Sequence, residues 1–578
     1  MLDLCIKNGM VVDGTGNPWY RADVGIQNGR IAAVGDLSGV QAVRTIAADD
    51  KIVAPGFIDV HSHSDYLILA DPLASSKVLA GVTTDVSGNC GGSAAPQNKM
   101  FWQEWWTEDV DERFKLVDRD YAARTLARHN IDFNWHSMGE YLDEVRRMGT
   151  SINYANFVGH YTLRIAAYHQ ERRKPSRAEL DSMKSMLAQS MREGAIGFST
   201  EVGSHFIWEY EIEELLELCE LTRDLGGVFS YDINNYADRF LEDLEKALWV
   251  VEKTNVPTII SHIQVYGREN AGKAKYALQM IEETRRRGMN VVADVMAAAN
   301  GGGLFFSARA IDMFPQWAID DLQNVLKSAA GREKLQAALE RGEASEFYVS
   351  PNRTEEQKAS GMVYSFGPLK DPLWHHYVKI VASEDSSLEG KTIYQLMRER
   401  NVDDKYRILF DLVEHEPNLR TVLDVVHADN MRDVALHPWV GFGTDGGLVD
   451  AIRRPQIPNP CLYATFPMVL RKYVREEKVL RLEDAIRKMT SLPATAIRQY
   501  DRGLLRSGFK ADCVVFDFDQ VGEVAAYGDE IPAVFSKGIE QVIVNGELVA
   551  EDGVHLKNRP GQVLTHQAYF GAPEGGAT

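Results

Sequence analysis

The sequence predicts an α/β protein built around a closed parallel barrel, and three observations carry that expectation. Short apolar runs alternate with amphipathic helical stretches through the middle of the chain. About eight such β/α steps occur, the number that closes a parallel sheet on itself. Both ends differ from the middle, carrying brief alternating strands broken by turn dipeptides, and so read as a separate unit.

Taken in order, residues 1–54 hold strands punctuated at Asn8-Gly9, Asp13-Gly14-Thr15-Gly16, Asn28-Gly29 and Gly35-Asp36. The same style returns over 505–565, at 511–516 and 541–546, so one small β domain is expected from both termini. Residues 55–504 should form the barrel, with strands at 56–60, 83–87, 153–158, 195–198, 227–229, 258–261, 290–294 and 440–443. Helices are expected between them, for example at 177–192, 211–225 and 276–287. A stretch of about 302–430 is too long for a simple crossover and is expected to be a cap insertion beside the barrel mouth. Its cluster Trp374-His375-His376-Tyr377 reads as an exposed helix turn ahead of a metal site. The glycine-rich tail, 566–578, should be disordered or loosely packed.

Composition narrows the function. A hydrophobic share of 45% and a charged share of 25% are those of a globular protein, and no apolar run is long enough to span a bilayer. The net charge of −20 is spread along the chain, which argues against nucleic acid or an anionic membrane as the main partner and says nothing firm about substrate. Five scattered cysteines do not make a disulfide framework, and Met1-Leu2-Asp3-Leu4 lacks the character of a signal peptide. A cytoplasmic protein is expected, with homo-oligomerisation left open.

The chemistry gathers where barrel strands should end. On a strand starting after Ala54-Pro55-Gly56, His61 and His63 would project to one side, and paired neutral imidazoles suit zinc and similar cations. A surface strand with two solvated histidines is the plainer reading. Cys90, framed by glycines after the second strand, could approach a cation closely, although buried cysteines usually just fill space. His262 ends the run Pro257-Thr258-Ile259-Ile260-Ser261. Asp445 follows the last strand and could both bind metal and move protons.

The order His-x-His, Gly-Asn-Cys-Gly, Ser-His and Gly-Thr-Asp-Gly resembles the amidohydrolase superfamily, and within it the N-acyl-D-amino-acid deacylase (D-aminoacylase) family. Gly159-His160-Tyr161-Thr162-Leu163-Arg164 and Lys488-Met489-Thr490-Ser491-Leu492-Pro493 strengthen the likeness, which runs from about Ile6 to about Leu564. The resemblance implies a (β/α)8 TIM-type barrel with a small β-sandwich, a zinc-type centre and hydrolysis of linear amides. By the same resemblance, His61, His63 and Asp445 would hold one metal position, Cys90 would share in the centre, and His262 would bind at a second. Asp445 would take a proton from the attacking water and return it to the departing amine.

Departures from the family pattern define further expectations. Asp232 stands where the family places a histidine ligand, and it would bind metal or only hold water or substrate. One well-occupied Zn2+ position is therefore expected, with a second left open. Gln264 and Met296 stand where the family uses a lysine and a tyrosine to hold a substrate carboxylate, which weakens that feature of the substrate. The family's tyrosine after the fourth strand is absent, leaving Tyr231, Tyr161 and Tyr266 as candidates for polarising a carbonyl. His160, Arg164 and Arg268 are further pocket candidates, and the stretch at 101–106 is a candidate acyl pocket or a packed helix. The expected activity is hydrolysis of a linear amide in an N-acylated small molecule. The alternatives are a cyclic amide hydrolase (hydantoin, lactam or imide) and a non-catalytic barrel serving as a binding module.

Overall fold

In the computed structural model, the described residues are 1–565 without 66, 98–133, 169–172, 203–209, 234, 238, 268–269, 298–307, 310–312, 342, 344–371, 417–418, 424–425, 427, 449–460 and 525–535. Arg268, the stretch at 101–106 and the tail lie outside them.

The barrel strands are Phe57–Asp59, Val82–Ser87, Asn153–Asn156 continued by Val158–Gly159, Gly197–Glu201, Val228–Asp232, Thr258–Ile260, Val291–Val295 and Val440–Phe442. Each is parallel to its neighbour, and the third pairs the second through its first half and the fourth through its second. The ring closes just past these strands, where Ser62 bridges Gly446 and the Asp445 amide donates to the His61 carbonyl at 2.8 Å. Helices cover the outside. The helix Arg177–Glu193 begins in a capping box between Ser176 and Glu179, and it buries Leu180, Met183, Leu187 and Met191 at helical spacing.

Two expected boundaries move for one reason. The fourth strand starts at Gly197 and runs to Glu201, and the fifth runs to Asp232. Their last residues are polar, so apolar patterning stops before the strand does. In a barrel those positions line the mouth, where polar side chains find partners.

Both chain ends enter one nine-stranded sheet, joined where Cys513–Phe516 pairs antiparallel with Ile52–Pro55. Alternation divides its faces. Val53, Cys513 and Val515 pack into the small domain's own core, while Ile52, Ala54, Val514 and Phe516 join the barrel core. Tight turns at Asn28-Gly29 and Asn545-Gly546 take positive φ at both residues, which this residue pair accepts readily.

Between the seventh and eighth strands, the described part of the insertion forms a three-stranded antiparallel sheet from Ala308–Arg309, Val378–Ala382 and Arg420–Leu423, with helices including Ala329–Glu340 and Lys405–His415. Its return leg bridges Val426 to Tyr266, just past the sixth strand. The 374–377 cluster is a short 3-10 turn with Trp374 buried and His376 stacked on Tyr394.

Candidate metal centre

The first strand ends at Asp59, so His61 and His63 lie in the turn that follows it, not on the strand itself. Closure of the barrel fixes that turn instead. A Cβ on Gly443 would lie 2.7 Å from the His61 Cβ, so glycine is what lets the last strand come this close. The His63 amide donates to the Gly446 carbonyl at 3.2 Å, locking the two turns together.

Six side chains from strand ends converge there. His63 Nε2 lies 2.9 Å from Asp445 Oδ1, and His61 Nε2 lies 3.3 Å from the same oxygen and 3.2 Å from Cys90 Sγ. His262 Nε2 is 3.3 Å from Asp232 Oδ2, 3.5 Å from Asp445 Oδ2 and 3.9 Å from Cys90 Sγ. Two donor sets result, His61, His63, Cys90 and Asp445, and Cys90, Asp232 and His262, the donor atoms within each lying within 4.8 Å of one another. Cys90 belongs to both. His61 is wholly buried, whereas the His63 side chain is 37% exposed and so marks the open side of the cluster.

The residues fit a divalent cation on three grounds. Asp445 Oδ2 is buried and makes no hydrogen bond among the described residues. Imidazole, thiolate and carboxylate form a zinc-type donor set. The local charge also favours a cation. Burial opposes protonation of His61 and His262, yet Asp294 with Asp445, and Asp232 with Asp445, raise both imidazoles above their ordinary pKa. Burial likewise opposes ionisation of Asp445, but His61 and His262 hold its carboxyl well below the usual range. Burial, then Asp232, Asp445 and Glu201, push the Cys90 thiol up, so the thiolate needs a cation beside it.

Cys90 and His262 take φ of 49° and 26°, positive values that side chains without a special reason rarely adopt. Such strain, of order 1–3 kcal/mol each, persists where surrounding structure imposes it and clusters at functional sites.

Supporting residues were not anticipated from the sequence. Asp294 Oδ2 sits 3.2 Å from His61 Nδ1, which turns Nε2 of that ring toward the cluster, and Asp294 Oδ1 accepts from the His262 amide at 2.9 Å. The Tyr236 hydroxyl lies 2.5 Å from Asp232 Oδ1. A tyrosine four residues past a strand-end carboxylate was the available signal.

Tyr231, His160 and Arg164 are engaged outside the two donor sets. Tyr231 packs against Phe229 on the helix side of the fifth strand, because Ser230 and Asp232 take the inward phase. His160 is fully buried, with Nδ1 2.8 Å from Thr200 Oγ1 and Nε2 2.8 Å from Glu214 Oε1. Arg164 is tied to Glu214 by Nε at 2.9 Å and a second nitrogen at 3.1 Å. These two belong to a buried ion cluster under a helix. Gln264 is buried, accepting from the Tyr266 hydroxyl at 3.3 Å and donating to the Met296 carbonyl at 3.5 Å. Tyr161 is also buried.

Comparison with known proteins decides the family. The model of the "Amidohydrolase family" matches residues 44–336 and 426–550. The chain belongs to that family. It is 31% identical over 99% of both chains to the N-acyl-D-glutamate deacylase of Alcaligenes xylosoxydans xylosoxydans. Among solved structures it superposes with a TM-score of 0.71 on a D-aminoacylase described by the role of its binuclear metal centre, at 27% identity over 98% of this chain and all of that one. An N-acyl-D-glutamate deacylase from Bordetella bronchiseptica, complexed with zinc and a phosphonate mimic of the tetrahedral intermediate, matches with a TM-score of 0.71 at 28% identity, covering 98% of this chain and 99% of that one.

Proposed function

We propose that the protein is a metal-dependent amidohydrolase that cleaves the linear amide of an N-acyl-D-amino acid. The observation that carries this reading is the convergence of His61, His63, Cys90, Asp232, His262 and Asp445 into two donor sets sharing Cys90. In this reading His61, His63 and Asp445 hold one cation, Cys90 borders both positions, and Asp232 with His262 completes the second, Zn2+ being the cation the donors suit best. A cation held there would lower the pKa of a water toward neutrality and would polarise the scissile carbonyl. Asp445 accepts the proton of the attacking water and passes it to the leaving nitrogen, general base then general acid. His63, at the open side, borders the approach of substrate. Asp294 holds His61 in orientation.

Retention of Asp445 speaks against a non-catalytic barrel. Among the described residues no helix is long and apolar enough to cross a membrane, and the scattered thiols suit a cytoplasmic setting. Turnover of N-acetyl-D-amino acids and of hydantoins, before and after chelation, tests the reading. Chelator-sensitive release of the free amino acid supports it. Chelator-insensitive turnover, or turnover of the cyclic amide alone, overturns it.

A further inference from the structure

Lys77 sits in the short helix Ser75–Val78, ahead of the second barrel strand, and its side chain is 1% exposed. Its ammonium contacts Asp59 Oδ2 closely, and reaches Asp85 Oδ1 at 2.9 Å, Ser62 Oγ at 3.0 Å, Thr444 Oγ1 at 3.1 Å and the Gly446 carbonyl at 3.2 Å. These partners are not scattered. Ser62 lies between His61 and His63, and Thr444 and Gly446 flank Asp445. Asp59 and Asp85 come from the first and second strands, and Asp59 also accepts from the Thr444 amide at 2.9 Å and the Thr444 hydroxyl at 2.6 Å. Ser62 Oγ in turn donates to the Gly446 carbonyl at 3.0 Å.

A buried ammonium is a costly way to hold strands together, since apolar residues of similar volume usually do so as well or better. What it supplies here is direction. Burial works against its charge, and Asp59 and Asp85 restore it, so it remains a fixed donor to several acceptors at once. We infer that Lys77 is a positioning residue that clamps the 61–63 turn to the 444–446 turn and thereby sets the geometry of the cation position formed by His61, His63 and Asp445. Cys90, Asp232 and His262 come from the second, fifth and sixth strands and make no contact with the ammonium in this network, so the position they form should stand without it. The inference rests on the metal-dependent reading above.

The test uses full-length protein produced in cobalt-supplemented medium and titrated with a chelator. Total metal is measured by emission spectrometry, and the thiolate-to-cobalt absorption reports Cys90. The variants are Lys77→Met, which keeps the apolar stem, and Ser62→Ala, a small change less prone to disturb folding. Lys77→Met should lose one cobalt per chain at chelator concentrations at least tenfold lower than wild type, while the other cobalt is lost at the wild-type chelator concentration. Ser62→Ala should shift the same position in the same direction by a smaller factor. Parallel loss of both cobalts, or none beyond wild type, overturns the inference, because a merely structural lysine would weaken both positions or neither. If Lys77→Met does not fold, Ser62→Ala decides by the same criterion. Wild-type protein that takes up no cobalt sinks the metal-dependent reading and this inference together.

Discussion

Two buried clusters of histidine and carboxylate lie on this barrel, and they differ in kind. Around His160, charges are matched: Arg164 and Glu214 pair, and each ring nitrogen of the histidine faces one partner. Around His61, three carboxylates, Asp232, Asp294 and Asp445, meet three imidazoles and a thiol, with no lysine or arginine in either donor set. The first cluster is complete as it stands. The second gathers acceptors that call for a positive centre, and it holds Cys90 and His262 at positive φ. Histidine at a strand end is therefore not the mark of function; the charge balance around it is.

Substitutions can break this contrast, beginning with Asp445. Asp445→Asn should lower kcat/KM by about 10²–10⁴-fold, the usual contribution of a positioned acid–base group. Steady-state kinetics on an N-acyl-D-amino acid, with metal content measured alongside, checks this. Asp294→Asn touches the same cluster one bond further out. It should weaken metal affinity by about 10–100-fold, read by chelator competition.

Glu214→Gln should do the opposite of both. It should cost about 3–5 kcal/mol of unfolding free energy by denaturant titration, as expected when one partner of a buried pair is removed, and leave metal content per folded molecule intact. The sign of its pH effect is also set. Burial raises the Glu214 pKa, but the hydrogen bond and charge of His160 and the charge of Arg164 outweigh it and hold the carboxyl at about 2. An unfolded glutamate titrates near ~4.3. The Glu214 contribution is thus fully present above that value and is lost as pH falls toward 2. Wild-type stability should fall across this window and that of Glu214→Gln should be flatter, the smallest of the effects.

Much of the site was legible because its donors follow apolar runs. His262 and Asp445 each stand just past one, and His61 and His63 follow another, whereas Cys90 was marked only by the glycines around it. Phase was harder to read. Tyr231 and Asp232 are adjacent on one strand and cannot both face the mouth, so alternation alone argued against the tyrosine once the aspartate was taken as inward. Lys77 was hidden because Ser75-Ser76-Lys77-Val78 looks like any exposed helix turn, and only tertiary packing buries its ammonium. The barrel was readable from its alternation of strands and helices. The ends of the fourth and fifth strands were not, because their inward residues are polar for the sake of the mouth.

The central claim is that His61, His63, Cys90, Asp232, His262 and Asp445 hold metal. Diffraction from crystals of the zinc-loaded protein, measured above and below the zinc absorption edge, tests it most directly. Anomalous density within bonding distance of His61, His63 and Asp445, or of Cys90, Asp232 and His262, is the expected result. Zinc bound only elsewhere, in a preparation that still hydrolyses the amide, would contradict the account.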